Sequence, residues 1–116
     1  MVITNDKLFL LYETLNNVKD IISCSAKVGY KLVRNIQLIK PVYDAVLSAR
    51  RSTIKKYMVD GEVPEHLIQQ VNEELYEMAI MENELDLFII NINDIAECNL
   101  TLEDIEALMP ILRDGD

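Results

Sequence analysis

At 116 residues, half of them apolar and with only three glycines and three prolines, the chain is too hydrophobic for intrinsic disorder and has the length of one mostly helical domain, residues 1–116. Its charge is split: residues 1–60 hold ten Lys/Arg and five Asp/Glu, a net of +5, while residues 61–116 hold one Arg (Arg113) and fifteen Asp/Glu, a net of −14. The overall −9 argues against general nucleic-acid binding, which rests on a cationic surface, and the longest apolar run, Leu87 to Ile92 interrupted by Asn91, falls far short of the roughly 20 residues of a membrane span.

The first predicted element runs from about Asn5 to Lys19. Leu8, Leu11, Tyr12, Leu15 and Val18 recur at steps of three and four, the stripe of an amphipathic helix. Thr4 or Asn5 suits its cap, and Asp6 suits its first turn. The second begins near Ser25 and continues to Met58 on a stripe of Val28, Leu32, Ile36, Ile39, Tyr43, Val46 and Leu47, extended by Ile54 and Tyr57. Pro41 interrupts the backbone bonding of a helix. With no turn residues around it, one kinked helix of about 50 Å is preferred over two helices meeting at Lys40-Pro41. A helix that long exceeds what a compact chain of this size can cover.

Asp60-Gly61-Glu62-Val63-Pro64 is the clearest break. Gly61 suits a left-handed cap and Pro64 the start of the next helix. That helix is expected from about Pro64 to Glu82, with Leu67, Ile68, Val71, Leu75, Met78 and Ala79 inward and Glu73, Glu74 and Glu77 outward. After Asn83 the period changes. Leu85, Leu87 and Ile89 alternate with Asp86, Phe88, Ile90 and Ile92, which reads as a strand, with helical continuation as the competing reading. No second strand is evident, so this one is expected to pair with another copy or partner, or to lie extended in a groove. The last element is a short helix from about Leu102 to Leu112, opened by Thr101-Leu102-Glu103-Asp104, which resembles a capping box. The expected fold is therefore mainly α: a long kinked central helix packed with two or three shorter helices, plus one short strand that pairs between molecules or lies extended.

Catalytic signatures are scarce. The single histidine, His66, has no nucleophile context of the GxSxG kind and no second Glu-x-x-His partner; it reads as an exposed first-turn residue. Gly29, Gly61 and Gly115 are too dispersed to cradle a phosphate. Asp94 to Ile105 has the length of an EF-hand loop without its oxygen ligands or central glycine. Cys24 and Cys98 have no metal-ligand spacing and read as reduced, partly buried thiols. The carboxylate pairs Glu73/Glu77 and Glu84/Asp86 read as solvated acidic faces, since like charges at i,i+4 cost only a few tenths of a kcal/mol. No enzymatic activity, cofactor or metal is expected.

The cations form two clusters: Lys27, Lys31 and Arg34 on one helical face, then Arg50, Arg51, Lys55 and Lys56, with Tyr30, Tyr43 and Tyr57 among them. They serve either as a contact for nucleic acid or an acidic protein, or as a solvated face or one that pairs with the acidic third helix of the same chain.

The run Lys27-Val28-Gly29-Tyr30-Lys31-Leu32-Val33-Arg34-Asn35, with the later Arg50-Arg51 and Lys55-Lys56-Tyr57, resembles one found in a family of small bacteriophage proteins with no assigned activity. So does the order that follows: Asn72-Glu73-Glu74-Leu75, the apolar stretch from Leu85 to Ile90, then Leu100-Thr101-Leu102-Glu103-Asp104 and Leu108. The resemblance covers about two thirds of the chain. It implies phage origin and a non-enzymatic role, and it carries over no site residues.

Two functions are expected from these features. The first is a homo-oligomeric interaction or assembly protein, a virion component or assembly factor. In it Leu85, Leu87 and Ile89 pair across a two-fold axis, while Lys27, Lys31, Arg34, Arg51 and Lys55 of one copy face Glu73, Glu74 and Glu77 of another. The second is an acidic inhibitor that occupies the cationic groove of a host or defence nucleic-acid-binding enzyme. The expected location is the cytoplasm of an infected bacterium, or the virion.

Overall fold

One long helix organises the molecule. The computed structural model describes residues 1–22 and 25–114, and among them are four α-helices and four short strands. In chain order these are β1 (Val2–Thr4), α1 (Asn5–Ile22), α2 (Ala26–Tyr57), α3 (Ile68–Ala79), β2 (Glu82–Glu84), β3 (Ile90–Asn91), α4 (Leu102–Leu108) and β4 (Leu112–Arg113). The chain is mainly α, with α2 packed against the shorter helices.

The apolar stripe of α1 behaves as its spacing requires. Leu8, Leu11, Leu15, Val18 and Ile22 are all buried and lie between α2 on one side and α4 on the other. Ser25 caps α2 by accepting the Val28 N–H at 3.2 Å. The helix then runs without interruption through Pro41. Pro41 and Gln37, whose carbonyl loses its helical donor there, are both exposed, so water can satisfy that oxygen. After Met58 the chain reverses in a two-residue hairpin. The Val59 and Glu62 backbones bond reciprocally at 2.7 and 3.2 Å, and Asp60 and Gly61 take φ of 54° and 84°, the left-handed pair that a tight hairpin needs. A single 3-10 turn, Glu65–Leu67, leads into α3. It carries His66, which is exposed as expected.

The region expected to be one strand is divided into three pieces, and its mates lie within the chain. β2 pairs antiparallel with β1, with Val2 opposite Glu84, Ile3 opposite Asn83 and Thr4 opposite Glu82. Reciprocal backbone bonds between Met1 and Leu85, at 2.8 and 2.9 Å, prolong this pairing. β3 pairs parallel with β4, Ile90 with Leu112 and Asn91 with Arg113. Between them residues 85–89 lie extended along α2, with no helix. The expectation that no mate exists was wrong because β1 and β4 are only three and two residues long, too short to show a period of two.

In place of a neighbouring strand, residues 85–89 have a side chain. Asn35 of α2, with no exposed surface, donates from Nδ2 to Phe88 O at 2.9 Å and accepts the Phe88 N–H on Oδ1 at 2.7 Å. One amide thus presents the donor and acceptor that a strand backbone would. The Lys31 ammonium caps the next carbonyl, Ile89 O, at 2.9 Å. A second buried amide, Asn5, closes the other end. Its Nδ2 donates to Met78 O at 2.7 Å, near the end of α3, and its Oδ1 accepts from Asn83 Nδ2 at 2.7 Å.

α4 opens with the expected capping box: Asp104 N–H donates to Thr101 Oγ1 and Thr101 N–H to Asp104 Oδ2, both at 3.1 Å. It is shorter than expected, passing at Met109 into a 3-10 turn that ends at Ile111. Cys98 is half-buried beside the core; Cys24 lies outside the described residues.

Candidate interaction surface

The molecule measures 53 × 26 × 20 Å with a radius of gyration of 17.0 Å, against about 13 Å for a compact domain of this length. The elongation comes from α2, whose 32 residues span about 48 Å. Its two halves differ. The buried residues of α2 are Val28, Leu32, Asn35 and Ile39, all before Pro41. Beyond it Val42, Tyr43, Val46, Leu47, Ile54 and Tyr57 are half-buried at most. This distal half is covered on one side by the start of α1 and by α3, and together with α3 it forms a hairpin that extends beyond the core.

An aromatic group anchors the root of this hairpin. Tyr43 stacks on Tyr12 with ring centres 4.3 Å apart and meets Phe9 at 4.5 Å; the Arg50 guanidinium lies over the other part of that cluster, 5.3 Å from the Phe9 ring. Further out, Phe9, Val46, Arg50, Leu75 and Met78 enclose a cleft of about 280 Å3. Toward the tip, Lys56 Nζ donates to Glu74 Oε1 at 3.1 Å, and Gln70 Nε2 donates to the Tyr57 hydroxyl at 3.1 Å. The Tyr57 hydroxyl and then the Lys56 ammonium hold the Glu74 carboxyl below its ordinary range. In return Glu74 raises both Tyr57 and Lys56. The pair is solvent-screened, so it fixes the register of α2 on α3 more than it stabilises the fold.

The structure disperses the expected site residues. Lys27 is exposed, and Lys31 and Arg34 are half-buried on the proximal half of α2, away from α3. Lys31 is engaged with Ile89, and Arg34 donates to Gln37 at 2.9 Å. Leu87 is buried in the core, Leu85 packs against it, and the backbones of Leu85 and Ile89 are bonded within the chain. The premise of an unpaired edge at Leu85, Leu87 and Ile89 therefore does not hold. Arg51 and Lys55 are exposed on α2, with Glu73 and Glu77 exposed on α3. Glu74 faces inward to Lys56, and this is the one ion pair among the described residues that joins the basic block to the acidic helix.

On the outer side of the hairpin, Arg51, Ile54, Lys55 and Met58 line one depression of α2, and Glu65, Ile68, Asn72, Glu73 and Tyr76 line one of α3. Val63, Leu75 and the shared Ile54, Ile68 and Asn72 connect the two. Met58, Ile68 and Tyr76 are 40%, 44% and 65% exposed. Among the described residues no group of three His, Cys, Asp or Glu side chains is placed to hold a metal ion, and no helix is long and apolar enough to cross a membrane. The sequence reading missed Ile68 as an exposed residue, having placed it inward, and it missed Asn35 and Asn5 as buried ones. The spacing 28, 32, 35, 39 contains the signal for Asn35, since it sets a polar residue on the buried stripe. Compared with protein-family models, with curated proteins and with solved structures, the chain matches none.

Proposed function

We propose that this chain is a non-enzymatic, phage-type interaction and assembly protein that acts as a homo-oligomer, as a virion component or an assembly factor. The observation that supports this reading is the unfinished distal hairpin. Among the described residues, α2 has no buried side chain after Ile39, yet its apolar positions continue to Tyr57. These positions are half-buried, and each Å2 of apolar surface they leave uncovered forgoes roughly 25 cal/mol, which favours association. Multi-angle light scattering at micromolar concentration is expected to give a multimer, and a monomer up to 100 µM or so would overturn the reading.

A second reading, an acidic inhibitor of a nucleic-acid-binding enzyme, draws support from the acidic block. Glu62, Glu65, Glu73, Glu77, Glu82, Glu84, Asp86, Glu97, Glu103 and Glu106 are all exposed. Such a surface attracts a cationic groove over about one Debye length. Capture of one stoichiometric nucleic-acid-binding enzyme by a chain that is itself monomeric, with release by salt, would favour this reading over the first.

A further inference from the structure

The outer face of the α2–α3 hairpin is polar in a specific sense: one wall is basic and the other acidic. On the α2 wall Arg51 and Lys55 flank Ile54 and Met58; on the α3 wall Glu65 and Glu73 flank Ile68 and Tyr76. The floor between them is largely apolar, built on Ile54, Val63, Ile68, Val71 and Leu75 with Asn72 as its polar member. Such a face complements itself. The two helices run in opposite directions from a tight turn, and the Lys56–Glu74 and Tyr57–Gln70 contacts fix their levels. Within about one turn, Met58 is level with Ile68, Lys55 with Glu73, and Arg51 with Tyr76.

We infer that this face is where two copies of the chain meet, across a two-fold axis running along the groove, so that α2 of each copy lies on α3 of the other. Two orientations of the axis bring equivalent faces together. An axis across the helices sets α2 on α2 and α3 on α3, and confronts Arg51 and Lys55 with their own copies and Glu73 with its own. An axis along the helices keeps each residue at its level but exchanges the walls. Lys55 then meets the partner subunit's Glu73, Arg51 meets the face of the partner subunit's Tyr76, and Met58 meets the partner subunit's Ile68. Charge complementarity selects this second arrangement, and the guanidinium–ring contact adds to it. The result is a four-helix arrangement in which every adjacent pair is antiparallel, as in an up-down bundle, with opposed helix dipoles. The inference rests on the homo-oligomer reading and names its surface.

The test uses two charge-reversed full-length chains. In the first, Arg51→Glu and Lys55→Glu make both walls acidic. In the second, Glu65→Lys and Glu73→Lys make both walls basic. All four positions are exposed, so circular dichroism should show unchanged helix content. By sedimentation equilibrium each variant alone is expected to dissociate on the order of 100-fold more readily than the parent chain, and the two mixed to recover a heterodimer, because each like-charge clash in one is answered in the other. If either variant fails to fold, hydrogen exchange of the parent chain decides: protection that rises with protein concentration at 51–58 and 68–76, and not at 85–91, supports the interface. A parent chain that is monomeric overturns the homo-oligomer reading and this surface together. A multimeric parent whose variants assemble equally well, or whose concentration-dependent protection lies elsewhere, overturns this surface and leaves the reading intact.

Discussion

Replacing Asn35 by Leu probes how the extended segment is held. The two side chains have the same number of heavy atoms and the same branching, so the perturbation is chiefly chemical. Leu removes the donor that reaches Phe88 O at 2.9 Å and the acceptor that receives Phe88 N–H at 2.7 Å, and nothing else at this fully buried site replaces them. A buried backbone group left without a partner costs about 1–3 kcal/mol. Phe88 is half-buried, which sets each loss toward the lower end, and Leu recovers part of it by adding apolar contact. The expected net loss is about 1–2 kcal/mol, a sizeable share of the 5–15 kcal/mol typical of a small domain. Urea denaturation followed by circular dichroism measures it, with the slope expected to stay constant. Hydrogen exchange should locate the damage: the Phe88 amide loses protection first, while amides in α1 follow global stability. Asn35→Asp keeps the acceptor and loses the donor, so it should be destabilised most above the ordinary carboxylate pKa, where a buried charge faces a carbonyl. If Asn35→Leu changes stability by less than about 0.5 kcal/mol, the amide is a passenger and the segment is held by the burial of Leu87 and Ile90 and by the bonds at its two ends.

Asn83→Ala removes the donor to Asn5 Oδ1 and to Ile3 O; it should cost about 1–3 kcal/mol by thermal or urea melting, and no loss would show that water serves those oxygens equally well. Gly61→Ala adds a Cβ that meets nothing within 4 Å at φ of +84°, so its expected cost of about 1 kcal/mol is purely conformational, and a loss above about 3 kcal/mol would mean the hairpin tip packs against something. The Lys56–Tyr57–Glu74 group should titrate with opposite signs at its two ends. Glu74 is depressed from 4.5, so its contribution is full above that value and is lost as pH falls through the lower one. Lys56 and Tyr57 are raised from 10.5 and 10.0, so theirs is full below those values and is lost as pH rises through the higher ones. An NMR titration giving a Glu74 midpoint at or above 4.5 would contradict the geometry. Amides of α2 beyond Pro41 should exchange through local opening well below the global unfolding free energy, whereas those near Leu32 and Ile39 should not; uniform protection in dilute solution would show that the distal half is as well covered as the proximal one.

The helices were legible because each carries its own period. Leu8, Leu11, Leu15 and Val18 mark α1 whatever packs on it, and the Asp60-Gly61 break and the Thr101–Asp104 box are local chemistry. The dimensions of α2 were legible too, since Pro41 has no turn residues beside it. What could not be read was pairing. β1 and β4 are too short to announce themselves, and the reciprocal bonds of Phe88 with Asn35 depend on residues 53 apart. The candidate surface shows the same division. The opposite charges of 1–60 and 61–116 are plain in the sequence, but only the fold shows that Lys31 is used by the extended segment and Glu74 by Lys56, while Arg51, Lys55 and Glu73 remain at the surface.

The two buried asparagines fix the register of the extended segments on the helices. Apolar contact is non-directional, and several placements of residues 82–91 would bury Leu87 and Ile90 about equally. Asn35 and Asn5 discriminate among them, because a wrong register leaves each buried amide unsatisfied. The extended pieces that α1 and α2 hold are therefore tied by specific polar contacts. On the distal hairpin Asn5 reaches Met78 O at the end of α3, while nearer the tip the junction is Lys56, Tyr57, Gln70 and Glu74, partly open to solvent, and the outer face is largely apolar between unlike charges. The proposed dimer rests on this arrangement, in which unlike charges lie on the two walls of one groove with a largely apolar strip between them. The same sequence that fixes the body by buried amides leaves the far end of α2, in the proposed assembly, to a second copy.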